Sequence, residues 1–151
     1  MSVASRQAAR EELGAILTSE LTTAAAVHTD QPASFGGQSP VVVVASAGTA
    51  REGGAKRTFG GPIAPTFYLD VYVFVATVVK NAAGEDIVNT SADDQLDTLE
   101  AGVAQVVADY PKATNWTALS YEGRSNTEFV TIIDGSEYKR ERIPLALTAK
   151  G

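Results

Sequence analysis

The chain has no cysteine, and its 151 residues include only one histidine, one tryptophan and one methionine. Without cysteine there is no disulfide framework and no thiolate zinc site, which fits an intracellular place of assembly. A single histidine, His28, excludes sites built from several imidazoles. Any Ser-His-Asp arrangement would depend on His28 alone, and no G-x-S-x-G elbow accompanies it. The residue follows an alanine-rich stretch, and the expectation is a histidine at a helix C-terminus, where partial positive charge suits the dipole. Long hydrophobic runs are also missing. The longest, VYVFVATVV (71–79), falls well short of the ~20 residues of a membrane-crossing helix. The opening MSVASRQAAREEL is polar and charged, which predicts no secretory leader. The tyrosines Tyr68, Tyr72, Tyr110, Tyr121 and Tyr138 are scattered. A single-strand-binding platform would gather them beside Lys and Arg.

What is present points to one acidic globular domain spanning 1–151, with 44% apolar residues and a net charge of −6. That charge argues against tight binding to nucleic acid phosphates. It is compatible with a passage along which nucleic acid slides, since like charges repel.

Periodicity predicts a first helix over 5–26, with Ser5 as N-cap and Ala9, Leu13, Ile16, Leu17, Leu21 and Ala24 as its apolar stripe. Residues 28–40 form a turn-rich connection. VVVVAS (41–46) and TFYLDVYVFVATVV (66–79) read as the arms of a hairpin with a long tip. In the second arm Phe67, Leu69, Val71, Val73 and Val75 take one face, and Tyr68, Asp70 and Tyr72 the other. A second helix follows SADD (91–94), which matches a capping box, with Leu96, Leu99, Val103, Val106, Val107 and Tyr110 as its stripe and Pro111 as its stop. Strands are expected at 117–123, 128–134 and 137–149, with a tight turn at Asp134-Gly135. Pro144 argues that the last strand is an edge strand or carries a bulge. The order α-β-β-α-β-β-β predicts an α+β domain, an antiparallel or mixed β-sheet with a long β-hairpin arm, packed by two α-helices.

Three segments are candidates for function. GTAREGGAKRTFGG (48–61) has the Gly48-x4-Gly53 spacing of a phosphate loop, but Gly54 and Ala55 intervene before Lys56 and Arg57 precedes Thr58. A strand follows it where a phosphate loop needs a helix N-terminus. Two readings then stand: a hairpin tip kept soluble by its charges, or a partner-docking loop whose grip is Arg51, Lys56, Arg57 and Phe59. The loop carries +2 on a chain of −6, so an acidic partner surface would suit it.

Residues 81–111 hold Glu85, Asp86, Asp93, Asp94, Asp97, Glu100 and Asp109 without a single Lys or Arg. They lack EF-hand spacing, and nothing singles out a glycosidase pair. Asp93 and Asp94 suit a helix N-terminus. Asp93, Asp97 and Glu100 read either as a solvated face or as an acidic channel wall that keeps DNA mobile. In EYKRERIPLALTA (137–149), Lys139 and Glu141 share a face with Ile143 and Leu145, while Arg140 and Arg142 take the other. Lys139, Arg140 and Arg142 read as a charged sheet edge or one side of a subunit contact.

The order RQAAREELGAILTSEL (6–21), SPVVVV (39–44), FYLDVYVFV (67–75), ADDQLDTLEAGVAQVV (92–107), Trp116 and EYKRERIPLALTA (137–149) resembles the tail terminator, or tail completion, proteins of long-tailed non-contractile bacteriophages and related particles. The resemblance covers most of the chain and is one of order and length, without an invariant motif. The loop at 47–61 is longer than it leads one to expect. It implies a structural virion protein without enzymatic activity or cofactor. Such a protein forms a homohexameric ring on the last ring of the tail tube, ends tube polymerisation and offers the surface that joins the head or neck. Its partners would be itself, the tail tube protein and a head-completion or neck protein. Double-stranded DNA would pass through the ring without specific binding, and no membrane is involved. The expected location is the head-proximal end of the virion tail, after assembly in the host cytoplasm. The alternatives are a head-completion or neck protein, a tail tube subunit, or a small ligand-binding or hydrolytic domain. The last of these needs a pocket with convergent polar groups.

Overall fold

A computed structural model describes residues 4–51 and 64–150. The element order is α1 (Arg6–Glu20), β1 (Ala26–His28), β2 (Val41–Ala50), β3 (Thr66–Ala76), β4 (Val78–Lys80), β5 (Asp86–Val88), α2 (Ala92–Asp109), β6 (Trp116–Tyr121), β7 (Asn126–Thr131) and β8 (Glu137–Ala149). Among the described residues the fold is α+β, with two helices on a mixed, mostly antiparallel sheet. Three short strands, β1, β4 and β5, interrupt the order that the sequence suggests.

The main sheet runs β1-β2-β3-β8, and β8 is then flanked by β6 along one half and β7 along the other. β1 lies parallel to β2, and the remaining pairs of this sheet are antiparallel. Alternation decides which side chains go where. Val42, Val44, Phe67, Leu69, Val71, Val73, Ile143, Leu145 and Leu147 point to one face. There they meet Ala9, Leu13, Leu17 and Leu21 of and just after α1, and Leu96, Leu99, Val103 and Val106 of α2. Gly102 lets the two helices come close, since a Cβ there would stand 2.6 Å from Leu21 Cδ2. The other face carries a smaller cluster in which Phe35, from the connection after β1, covers Val41, Val43, Phe74 and Tyr138.

α1 starts at the expected cap, with Ala8 N–H donating to Ser5 Oγ at 3.1 Å. It ends at Glu20, six residues early, and Ala26–His28 becomes a strand. His28 therefore sits on β1, stacked on Phe35 at 6.1 Å, rather than at a helix end. The strand expected to stop at 46 continues to Ala50 through a bulge between Ser46 and Gly48, where Gly48 takes φ 129°. β3 ends at Ala76, and its expected continuation turns away as β4 to pair with β5. Ser91 is the N-cap of α2, but its side chain makes no capping bond. Asn89 anchors that corner instead. Its Nδ2 donates to Ala76 O at 2.9 Å and Gln95 Oε1 at 3.0 Å, and its Oδ1 accepts from Ser91 N at 3.1 Å.

The largest departure concerns β8, which is interior rather than an edge. Pro144 is tolerated there for a geometric reason. Its carbonyl accepts from Glu122 N at 2.8 Å, so its missing N–H would point to the same side. That side is the gap where the neighbour of β8 changes from β7, opposite Arg142, to β6, opposite Leu145. The proline costs no ladder bond. The Asp134-Gly135 turn joins β7 to β8 as expected, with Gly135 at φ 88° and Gly135 N–H donating to Ile132 O at 2.9 Å.

Candidate functional site

The acids of α2 lie along its exposed side, one turn apart. Asp93 and Asp97 are exposed and Glu100 is half-buried. Asp93 is paired with Lys139 of β8. Glu100 accepts from Tyr121 Oη at 2.7 Å, and desolvation together with that bond pushes the Tyr121 hydroxyl well above its usual range. Beneath them Glu141 is 6% exposed, a rare position for a carboxylate, and accepts from Ser125 Oγ at 2.7 Å. Burial pushes its carboxyl above the usual range. Ser125 counters this, while Glu100 and Asp97 add to it. The three predicted acids thus share one strip, and Glu141, Tyr121 and Ser125 underlie it. Glu141 went unrecognised in the sequence because its place beside Lys139 on an alternating strand reads as a surface charge.

The opposite face of the sheet carries a second arrangement. Arg142 Nε donates to Asp70 Oδ2 at 2.9 Å, and Tyr72 Oη donates to the same oxygen at 3.3 Å. Arg140 lies with its guanidinium carbon 4.6 Å from the Tyr72 ring centroid and pairs with Glu128 of β7. Glu128, Arg140, Tyr72, Asp70 and Arg142 therefore form a ladder across β7, β8 and β3. The bond to Asp70 holds the Arg142 guanidinium above its ordinary range, and desolvation does the same for the Tyr72 hydroxyl. Register explains the pairing, because Asp70 stands opposite Pro144 and Tyr72 opposite Arg142. The sequence offered one signal, an acid within the apolar run 66–79, but the partner needs the fold.

Lys139 sits on the helix face, 5.6 Å from the Phe129 ring centroid. It is thus separated from Arg140 and Arg142, and all three lie on an interior strand. Of the loop candidates, Arg51 is exposed at the end of β2, donating to Ala4 O at 3.4 Å. Lys56, Arg57 and Phe59 lie outside the described residues.

The surface depressions are shallow. One of about 270 Å³ is lined by Thr23, Pro40, Asp94, Gln95 and Thr98. Another, between Val88, Asn89, Asp93, Phe129 and Lys139, joins the β4–β5 hairpin to β7. Among the described residues no cluster of His, Cys, Asp or Glu has the geometry to hold a metal ion, and no helix is long and apolar enough to cross a membrane. The chain matches no protein-family model and no curated protein.

Proposed function

We propose that this protein is a structural ring subunit that caps the tail tube of a long-tailed, non-contractile phage or related particle, ends tube growth and joins it to the head or neck. The observation that carries this reading is the exposed acid strip on α2, set on a sheet braced on both faces. Asp93, Asp97 and Glu100 would line the passage, where they repel phosphates and let DNA move through without sticking. β2 and β3 would extend as a hairpin arm, with Arg51, Lys56, Arg57 and Phe59 gripping an acidic surface on the tube or neck protein. The order of helices and strands along the chain, which resembles that of tail terminators, supports the same reading.

The experiment is to polymerise the tube protein with and without this chain and to image the products by electron microscopy. Tubes of limited length with a ring at one end are expected, and unlimited tubes without bound protein would overturn the reading. A tube-subunit role would instead appear as tubes built from this chain alone.

A further inference from the structure

Glu141 is a buried carboxyl group that the proposed role does not use. It is 6% exposed on β8, and among the described residues no Lys or Arg lies within salt-bridge reach of it. A charged carboxylate is unfavourable there, because it leaves water without gaining a cation. Its side-chain partner is Ser125, whose Oγ donates to Oε2 at 2.7 Å.

The groups around it are acidic or uncharged. From α2, Asp97 and Glu100 both push its carboxyl further up. From β6 comes the Tyr121 hydroxyl, already donated to Glu100. β7 and β3 place Thr127 and Val73 opposite it. On its own strand Lys139 is two residues away, but that ammonium is paired with Asp93. Arg124, next to Ser125, is exposed and forms no ion pair among the described residues.

The remaining wall is thin. Residues 122–125 link β6 to β7 across the seam where β8 changes neighbour. Glu122, Gly123 and Arg124 are exposed, and Gly123 makes the turn at φ 87°, which suits a residue without a side chain. Glu122 N–H is tied to Pro144 O at 2.8 Å. From Gly123 to Ser125, the hydroxyl on Glu141 is the hydrogen bond that fastens the connection to the sheet among the described residues. β8 is an interior strand and α2 is packed into the core, so the connection is the part that can yield.

We propose that the β6–β7 connection is a proton-operated flap, closed over a protonated Glu141 and opened when that proton passes to water, so that the new carboxylate is hydrated away from Asp97 and Glu100. The bond from Ser125 favours the charged form, but one donor does not replace a hydration shell. Opening sets one more negative charge beneath the acid strip of α2. The device belongs to the single chain and does not depend on ring formation. Linkage sets its direction. Burial holds the closed-state carboxyl above its ordinary value, so opening releases a proton. It therefore gains as pH rises from the ordinary carboxylate value, about 4.3, through the raised one.

Amide hydrogen exchange of the full-length protein tests this, read as protection factors from about pH 4 to about pH 8 so that intrinsic exchange cancels. Protection in residues 123–125 should fall by up to about tenfold per pH unit within that window, while buried Val71 and Val73 of β3 keep theirs. Glu141→Gln, neutral at every pH and nearly the same shape, should give a flat profile. A flat profile in the parent protein overturns the flap. So does a fall shared equally by the whole sheet, or one that Glu141→Gln reproduces. The parent profile is decisive by itself, so a poorly folded variant leaves the test intact.

Discussion

The two faces of the sheet are built by the same alternation and spent differently. The helix face is sealed, with Trp116, Phe67, Leu69, Ile143 and Leu145 all nearly fully buried under α1 and α2. The opposite face is sealed at one end only, where Phe35 packs 5.0 Å from Phe74 and 5.3 Å from Tyr138. The rest is the ladder from Glu128 to Arg142, paired charge that solvent reaches at Glu128 and Arg142 while Asp70 between them is buried. Apolar burial stabilises by about 25 cal/mol per Å² whatever the partner, whereas a paired surface charge contributes little net stability. The helix face therefore holds the fold, and the ladder fixes the shape of a surface.

That division can be broken by substitution. Trp116→Ala should cost the most, about 3–5 kcal/mol in a denaturant melt, because it empties the core and removes the Nε1 bond to Tyr110 O at 2.9 Å that ties the end of α2 to β6. Phe35→Ala should cost about 3 kcal/mol, the low end for a buried phenylalanine, and hydrogen exchange should rise first in residues 29–40, since Phe35 is the large apolar side chain of that segment in the cluster on this face. A loss equal to that of Trp116→Ala would mean the two faces bear equal load. Asp70→Asn should cost about 1–2 kcal/mol, because it weakens the contacts to Arg142 and Tyr72 on a face that water partly reaches.

Glu141 sharpens the contrast from the sealed side. Its carboxyl is held above the usual range, so the folded state binds a proton that the unfolded chain, with a carboxylate pKa of about 4.3, has released. Its contribution is complete below that pKa and fades as pH rises through the raised value. Stability measured against pH should therefore show Glu141→Gln gaining on the parent protein from about pH 4 upward; parallel curves would show that the group is not held protonated. Smallest of all, Phe129→Ser should shift stability by less than about 0.5 kcal/mol, since its ring is 75% exposed.

Much of this contrast was legible in the sequence, and the limits have physical causes. The split of residues 67–75 into two faces follows from a period of two. The stripe Leu96, Leu99, Val103, Val106 follows from a helical period, and both are present. At three places a local signal is overruled by a partner outside it. Alanine propensity extended α1 to residue 26, yet the pairing of Ala26–His28 with Val41–Val43 converts its end to a strand. Pro144 suggested an edge, yet the seam between β6 and β7 removes its penalty. The capping box at Ser91 lost to Asn89, which reaches Ala76 from outside the motif. Of the candidate site, the acids of α2 were readable as a run, whereas the Asp70–Arg142 pair joins residues 72 apart and required the register of β3 on β8.

The proposed role is that of a ring-forming cap, as against an enzyme or a free-standing binding domain. The decisive measurement is native mass spectrometry of the purified protein mixed with a tail tube protein. A closed oligomer of this chain bound at tube ends, in a fixed ratio to the tube ring, is the expected result. A strict monomer that leaves tube length unchanged at every ratio would contradict it.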